Sequence, residues 1–391
     1  VAVDNIGSAL KEILPDEVSV YNMKSSMKLD PWNPAPYDFF DLMDVRDLEK
    51  WKWGQQPMES TVTRYYPIFA EHFYVDRRSE SVRFNNYDEC LSFNRGEFER
   101  SVDPQIVLST VEMVLMKMSR PGKMCRNLEG VTRIIIDEAS LLTEAALFCI
   151  IRRFPMARIV LIGDDNQLPP FMYDSKILGH ELAGRPALSV AMKTGKVPVV
   201  ELNEVYRAPP SLVAPYNRLA YGGRLVSKKA EGQGPLSLIG LVPFGSPQLL
   251  LIDVDGREKT NGKNKSLYNE KEIDVLLRLL KKFPQGRSQD IMIICLYKEQ
   301  TIRYFNDATL SDADGQYTVL TVDSAQGKES PIVILMTTRT NKATDFFCST
   351  ERCNVSISRQ QKALVILGKS SLLTTNEPWS TVVNGDDFTS I

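Results

Sequence analysis

Ile134-Ile135-Ile136-Asp137-Glu138-Ala139-Ser140, answered at Ile159-Val160-Leu161-Ile162-Gly163-Asp164-Asp165-Asn166-Gln167-Leu168-Pro169-Pro170, decides how this chain is read. Each stretch opens as an unbroken aliphatic run, the pattern of a strand buried on both faces, and each breaks off into acidic and polar residues. Between them Leu142, Ala145, Ala146, Phe148, Cys149 and Ile150 recur on a helix-compatible period. The expected unit is strand, crossover helix, parallel strand. Its polar tips then lie at the carboxyl ends of the strands, where open α/β sheets bind ligands.

An aspartate at such a tip can hold Mg²⁺ on a nucleotide, and a glutamate beside it can orient or deprotonate water. Asp137 and Glu138 have that form, a Walker B pair. On its own, an Asp-Glu after an apolar run is more often a strand giving way to a solvated turn. The second stretch adds weight, because Gly163-Asp164-x-x-Gln167-Leu168-Pro169-Pro170 is a long match and its two prolines stiffen the backbone carrying Gln167.

A length of 391 residues suggests two or three domains, and 43% hydrophobic with 25% charged residues is ordinary globular composition. A formal net charge of -2 excludes a uniformly basic binder of the histone type while leaving room for a local basic groove. The six cysteines are scattered, and the nearest pair, Cys348 and Cys353, has no second pair beside it. With His72 and His180 the only histidines, a zinc site is not expected and a reduced, intracellular compartment is. No apolar run approaches the ~18 residues of a membrane span, so no membrane association is expected.

Along the chain, helical patterning before Leu48 alternates with the Pro- and Asn-containing stretch from Asp30 to Pro36. Trp51, Trp53 and the aromatic, partly basic run from Arg64 to Phe73 could stack bases, although such clusters more often pack a core. Residues 20–100 are the least legible part, an insertion in the first domain. Gln105 to Thr110 is a strand closing on two hydroxyls, suited either to a phosphodiester oxygen or to capping the next helix. A boundary is placed near residue 198, just before Val199 to Arg207, so that Arg207 can reach across an interdomain cleft. Ile273 to Phe283 is an amphipathic helix with Leu276, Leu277, Leu279 and Leu280 inward, and Ile291 to Leu296 is a buried strand. Two further constellations are Thr321-Val322-Asp323-Ser324-Ala325-Gln326-Gly327-Lys328-Glu329, before the strand Ile332 to Met336, and Asn354-Val355-Ser356-Ile357-Ser358-Arg359, before the strand Ala363 to Leu367. An arginine held beside a strand is well placed as a finger on a terminal phosphate. The halves 1–198 and 199–391 read as two doubly wound α/β domains.

Taken together, these motifs resemble superfamily 1 helicases, in the branch of the nonsense-mediated-decay RNA helicase. Val1 to Ile6 is similar to the end of motif Ia, Ser109-Thr110 to the next strand-contacting motif, and Asp137 to Ser140 to motif II. Gly163 to Pro170 resembles motif III, Tyr206-Arg207 motif IV, Thr321 to Glu329 motif V and Asn354 to Arg359 motif VI. The resemblance implies two RecA-like domains, the first truncated at its N-terminus, and ATP with Mg²⁺ as cofactors. By it Asp137 would bind the metal, Glu138 would activate water, and Gln167, Arg207 and Arg359 would sense the γ-phosphate. Gly327 and Glu329 would line the nucleotide site. Asn5, Thr110, Pro169 and Thr321 would track a single strand of RNA or DNA, with movement 5′ to 3′.

Two positions depart from the pattern. Leu141 stands where the family often has Gln, and Gln360-Gln361 replaces a common Ala-Arg. More consequential, no G-x-x-x-x-G-K-[ST] phosphate loop occurs in the 391 residues. The nearest approach, Ala363 to Ser370, has Ala at the first glycine and a strand in place of the loop. In relatives the loop precedes motif Ia, so it is expected upstream of Val1. Two classes of function therefore stand: an ATP-dependent helicase or translocase, or a pseudo-helicase that binds or scaffolds nucleic acid without hydrolysis.

Overall fold

Ile291–Cys295 and Ile332 to Met336 contain no charged residue, so as strands they are stable only with both faces covered. The structure, a computed structural model, describes residues 20–23, 106–118, 128, 130–171, 184–262, 266–284, 286–306, 317–385 and 387–391. They divide into two compact units, one drawn from 1–135 and 146–160 and the other from 136–145 and 161–391.

In the first unit β1 (Val20–Met23) pairs parallel with β2 (Ile106–Ser109), and α1 (Val111–Met118) follows directly. β3 (Arg133–Ile136), α2 (Glu144–Arg153) and β4 (Arg158–Leu161) form the expected strand, helix, strand unit, and they pass into the second unit at Ile136 and Leu161. Arg158 N donates to Thr132 O at 2.9 Å and Ile162 N to Ile136 O at 2.8 Å, so the two strands advance in the same direction. The expectation that both faces of these strands are buried is corrected. Ile135 is 69% and Val160 52% exposed, because among the described residues each strand has the other as its sole partner. On α2 only Ile150 is buried, and Phe148 and Cys149 face solvent.

In the second unit β5 (Leu249–Asp253), β6 (Ile291–Cys295), β7 (Thr318–Thr321), β8 (Ser330–Met336), β9 (Gln360–Gly368) and β10 (Thr389–Ser390) form one sheet in the order β7-β6-β8-β9-β5-β10. Every pairing is parallel. Side chains alternate between two cores. Leu249, Leu251, Met292, Ile294, Val333, Leu335, Leu364 and Ile366 pack on one face with α3 (Pro210–Ala220), α6 (Val322–Ala325), α7 (Thr350–Ser356), α8 (Ser370–Thr375) and α9 (Trp379–Val383). Leu250, Ile293, Ile334, Val365 and Leu367 pack on the other with α4 (Glu270–Leu280) and α5 (Lys298–Phe305). Helices on both faces of a six-stranded parallel sheet make this a doubly wound α/β unit.

The helix read between Ile273 and Phe283 is α4, with Ile273, Leu276, Leu279 and Leu280 buried and Asn269 capping it through Lys271 N and Glu272 N. The phosphate-loop look-alike is settled by register: Leu364 to Gly368 pair residue by residue with Leu249 to Asp253, so that segment is a strand and cannot wrap a phosphate. Among the described residues no helix is long and apolar enough to cross a membrane.

Candidate active site

Ile136 is the last residue of β3, and the chain turns sharply as soon as the apolar run ends. Asp137 is exposed, and its Oδ1 accepts from Glu138 N at 2.9 Å. Glu138 then adopts φ 51°, ψ 41°, the left-handed region that a glutamate rarely occupies, at a cost of about 1–3 kcal/mol. The surroundings hold it there. Ala139 N donates to Ile162 O at 2.8 Å, and Leu141 N to Glu138 O at 3.0 Å. Gly163 permits that approach, since a Cβ on it would lie 2.9 Å from Ala139 N.

The loop after β4 is built on Asp164. Its Oδ1 accepts from Asn166 N at 3.0 Å, and its Oδ2 accepts from Gln167 Nε2 at 2.8 Å and from the Tyr221 hydroxyl at 2.5 Å. Asn354, buried on α7, donates through Nδ2 to Asn166 O at 2.9 Å and to the Tyr221 oxygen at 3.0 Å. Gln167 is thus fixed by a carboxylate three residues back, and its loop is tied to the helix that leads to Arg359. Burial, followed by the nearby Asp164 charge, pushes the Tyr221 phenol well up, so the hydroxyl keeps its proton and donates it. Pro169 is exposed and Pro170 buried on the same loop.

The two arginines meet between α7 and β9. Arg207 donates through Nε to Glu329 Oε2 at 2.5 Å and through Nη1 to Ser358 O at 2.7 Å. Gln361, one of the departures from the family pattern, donates to the other oxygen of Glu329 at 2.7 Å, and Gln360 donates to Ile357 O at 2.7 Å. Arg359 is 3% exposed, with Nε on Val355 O at 3.2 Å and Nη2 on Ser358 Oγ at 2.8 Å. Among the described residues no carboxylate forms an ion pair with it. Burial first, then the like charge of Arg207, lower its pKa to about 10, opposed by Tyr221, Glu138 and Asp164.

The loop between β7 and β8 closes on the glutamate. Gln326 donates through Nε2 to Glu138 Oε2 at 2.9 Å, and Gly327, at φ 72°, passes so near that a Cβ on it would lie 3.5 Å from Glu138 Oε1. Glu138 and Gly327 are therefore adjacent, as are Arg207, Glu329 and Arg359. Asp137 has no side-chain link to either group. Thr321 Oγ1 accepts from Ser324 N at 3.4 Å as the cap of α6, and Thr110 Oγ1 accepts from Met113 N at 3.3 Å at the start of α1. Both hydroxyls thus do capping work, the commoner alternative weighed for Thr110. Asn5 lies outside the described residues, as do the aromatic stretch 51–73 and both histidines. Sequence reading gave no role to Asp164, Tyr221, Asn354 or Gln326. Asp164, Asn354 and Gln326 sat inside quoted motifs, whereas Tyr221 carried no local signal.

Among the described residues no three His, Cys, Asp or Glu side chains form a metal cage. Mg²⁺ is commonly held by one or two carboxylates plus substrate phosphates and water, and the exposed Asp137 carboxylate suits that mode.

Two family models, each described as an AAA domain, match residues 77–175 and 184–371. The chain is similar to the mouse 5'-3' DNA helicase ZGRF1, at 30% identity over 81% of this chain and 17% of that protein. It is similar to the Caenorhabditis elegans uncharacterized ATP-dependent helicase C05C10.2, at 28% over 90% of this chain and 24% of that protein. It is also similar to the Saccharomyces cerevisiae helicase SEN1, at 27% over 64% of this chain and 12% of that protein. The chain thus spans a quarter or less of the length of these relatives.

Proposed function

Because this chain belongs to superfamily 1 of the helicases, in the branch of the nonsense-mediated-decay RNA helicase and Sen1, we propose that the protein is an ATP-dependent motor on single-stranded nucleic acid. One observation carries the proposal: among the described residues Arg359 is a buried guanidinium with no carboxylate ion pair, next in sequence to Ser358, whose carbonyl receives Arg207. A buried cation left unpaired is costly, and a second cation beside it adds to that cost. A polyphosphate is the ligand that relieves both.

In this reading Asp137 holds Mg²⁺, which when bound neutralises phosphate charge. Glu138 receives a proton from the attacking water as its oxygen bonds to the γ-phosphorus. The bond from that phosphorus to the β–γ bridging oxygen breaks, and the diphosphate leaves with the electron pair. Gln167, Arg207 and Arg359 face the transferring group, where preorganised donors stabilise developing charge. Gly327 and Glu329 line the nucleotide site. Asn5, Thr110, Pro169 and Thr321 follow the strand, RNA or DNA, contacting mainly its backbone. The boundary between the two motor lobes is assigned near residue 198 from the sequence, and nucleotide-driven conformational change steps the protein along the strand.

The test is strand-stimulated ATP turnover by the full-length protein. Glu138→Gln is expected to lower kcat by roughly 10²–10⁴-fold, and Arg359→Ala by roughly 10³–10⁵-fold. Strand affinity, read by fluorescence anisotropy, should stay within a few-fold for both. Equal loss of turnover and strand binding in Arg359→Ala would count against the finger role. The absence of G-x-x-x-x-G-K-[ST] from these 391 residues favours a second reading, a strand-binding scaffold. Full-length protein that binds a strand without turning over ATP would select it.

A further inference from the structure

The side chain of Gln326 has an arrangement that packing does not account for. One end of its amide donates to Glu138 Oε2 at 2.9 Å, across 188 residues of sequence. The orientation is fixed by chemistry, because a carboxylate can only accept and so must face the NH₂ group. The other end, Oε1, is closed off from solvent and has no donor among the described residues. A glutamine placed to satisfy the fold would have both ends paired, since an unmet buried acceptor is left with its desolvation uncompensated. Here the fold accepts that cost and keeps the contact with Glu138. The backbone is arranged for the same contact. Glu138 sits in the left-handed region, Gly327 carries the chain past Glu138 Oε1, and Gln326 directly follows α6, whose cap is Thr321.

We infer that Gln326 is a positioning residue for Glu138. Its N–H fixes the rotamer of the carboxylate, so that one oxygen is occupied and the other is presented to the attacking water. The inference rests on the reading of Glu138 as the proton acceptor. The proton passes from water to Glu138, and Gln326 neither gains nor loses one. Displacing a general base by about an ångström can cost on the order of 10²-fold in rate, so the effect belongs in the chemical step and not in nucleotide affinity.

The experiment uses the full-length protein with saturating single strand and single-turnover ATP hydrolysis. It compares wild type, Gln326→Ala, Glu138→Gln and the double variant, with thermal unfolding of each as a folding check. Gln326→Ala is expected to lower the hydrolysis rate by roughly 10- to 100-fold. Its Kd for a non-hydrolysable ATP analogue should stay within about twofold, which a merely structural defect would not leave intact. In the Glu138→Gln background the same change should have no further effect, because the base it positions is gone. Gln326→Glu, similar in shape but presenting a second carboxylate, should be at least as impaired as Gln326→Ala. The inference is overturned if Gln326→Ala hydrolyses ATP within twofold of wild type, or if it lowers the rate equally in both backgrounds. If Glu138→Gln itself leaves the rate intact, the base reading fails first and the positioning role falls with it.

Discussion

At the scale of single residues, Glu329 shows how much a motif leaves unsaid about a position it marks. Its place in the motif marked it as a lining residue, but nothing local indicated that it receives Arg207 on one oxygen and Gln361 on the other. Burial alone would push its carboxyl up, and the Arg207 guanidinium outweighs that and holds it below the usual glutamate range. A lowered folded value stabilises the protein above the unfolded glutamate value, about 4.3, and that contribution is lost as pH falls through the folded value. The pair is partly exposed, so it is worth no more than about 1 kcal/mol. Glu329→Gln should therefore melt slightly below wild type at pH 7, with the gap closing as pH drops below the ordinary glutamate value. Melting curves that keep a constant offset down to pH 3 would contradict the ion pair. Gln361, which replaces an arginine common in relatives, is explained by the same carboxylate: an uncharged donor fits where Arg207 already supplies the cation.

At the scale of elements, periodicity succeeded wherever the element is amphipathic or fully enclosed. The α4 helix and the strands β6, β8 and β9 were legible for that reason. The β3 and β4 strands were read with the same rule and came out partly exposed, since an aliphatic run reports what a strand can bury and not what covers it. Two elements of the second unit carry predictions. Glu272, on α4 and fully buried, accepts from Thr338 N at 2.8 Å, and Thr338 sits at φ 67° just beyond β8. Burial raises the Glu272 pKa well above the ordinary value. A raised folded value gives stability that is complete below the unfolded value and lost as pH climbs toward the folded one. Glu272→Gln lacks that dependence, so its melting temperature relative to wild type should increase from about pH 4 upward. Parallel curves would rule this out. On the opposite face, Trp379 of α9 is fully buried, donates through Nε1 to Phe347 O at 2.8 Å and lies 5.5 Å from the Phe347 ring centroid. Trp379→Ala should cost about 3–5 kcal/mol of unfolding free energy, measured by denaturant titration, and a loss under 1 kcal/mol would mean that this packing is not formed.

At the scale of the whole molecule, the 391-residue chain by itself is expected to hydrolyse ATP poorly, because it contains no glycine-rich loop with its lysine to cradle the phosphates. Brisk strand-stimulated turnover by this polypeptide, abolished by Glu138→Gln, would overturn that expectation. The sequence by itself determined the α/β class, the strand-tip Asp137 and Glu138, the Gly163 to Pro170 loop and the order of the later motifs. These are local patterns, and each is set by side-chain period or by turn chemistry within a dozen residues. Tertiary structure alone decided which motifs touch. It placed Gln326 on Glu138, seated Tyr221 between Asp164 and Asn354, and set Arg207 on the carbonyl of Ser358, the residue before Arg359. Those contacts join residues 57 to 188 positions apart, and no local periodicity can encode them because they depend on how the parallel strands and their crossovers bring distant loops to the same place.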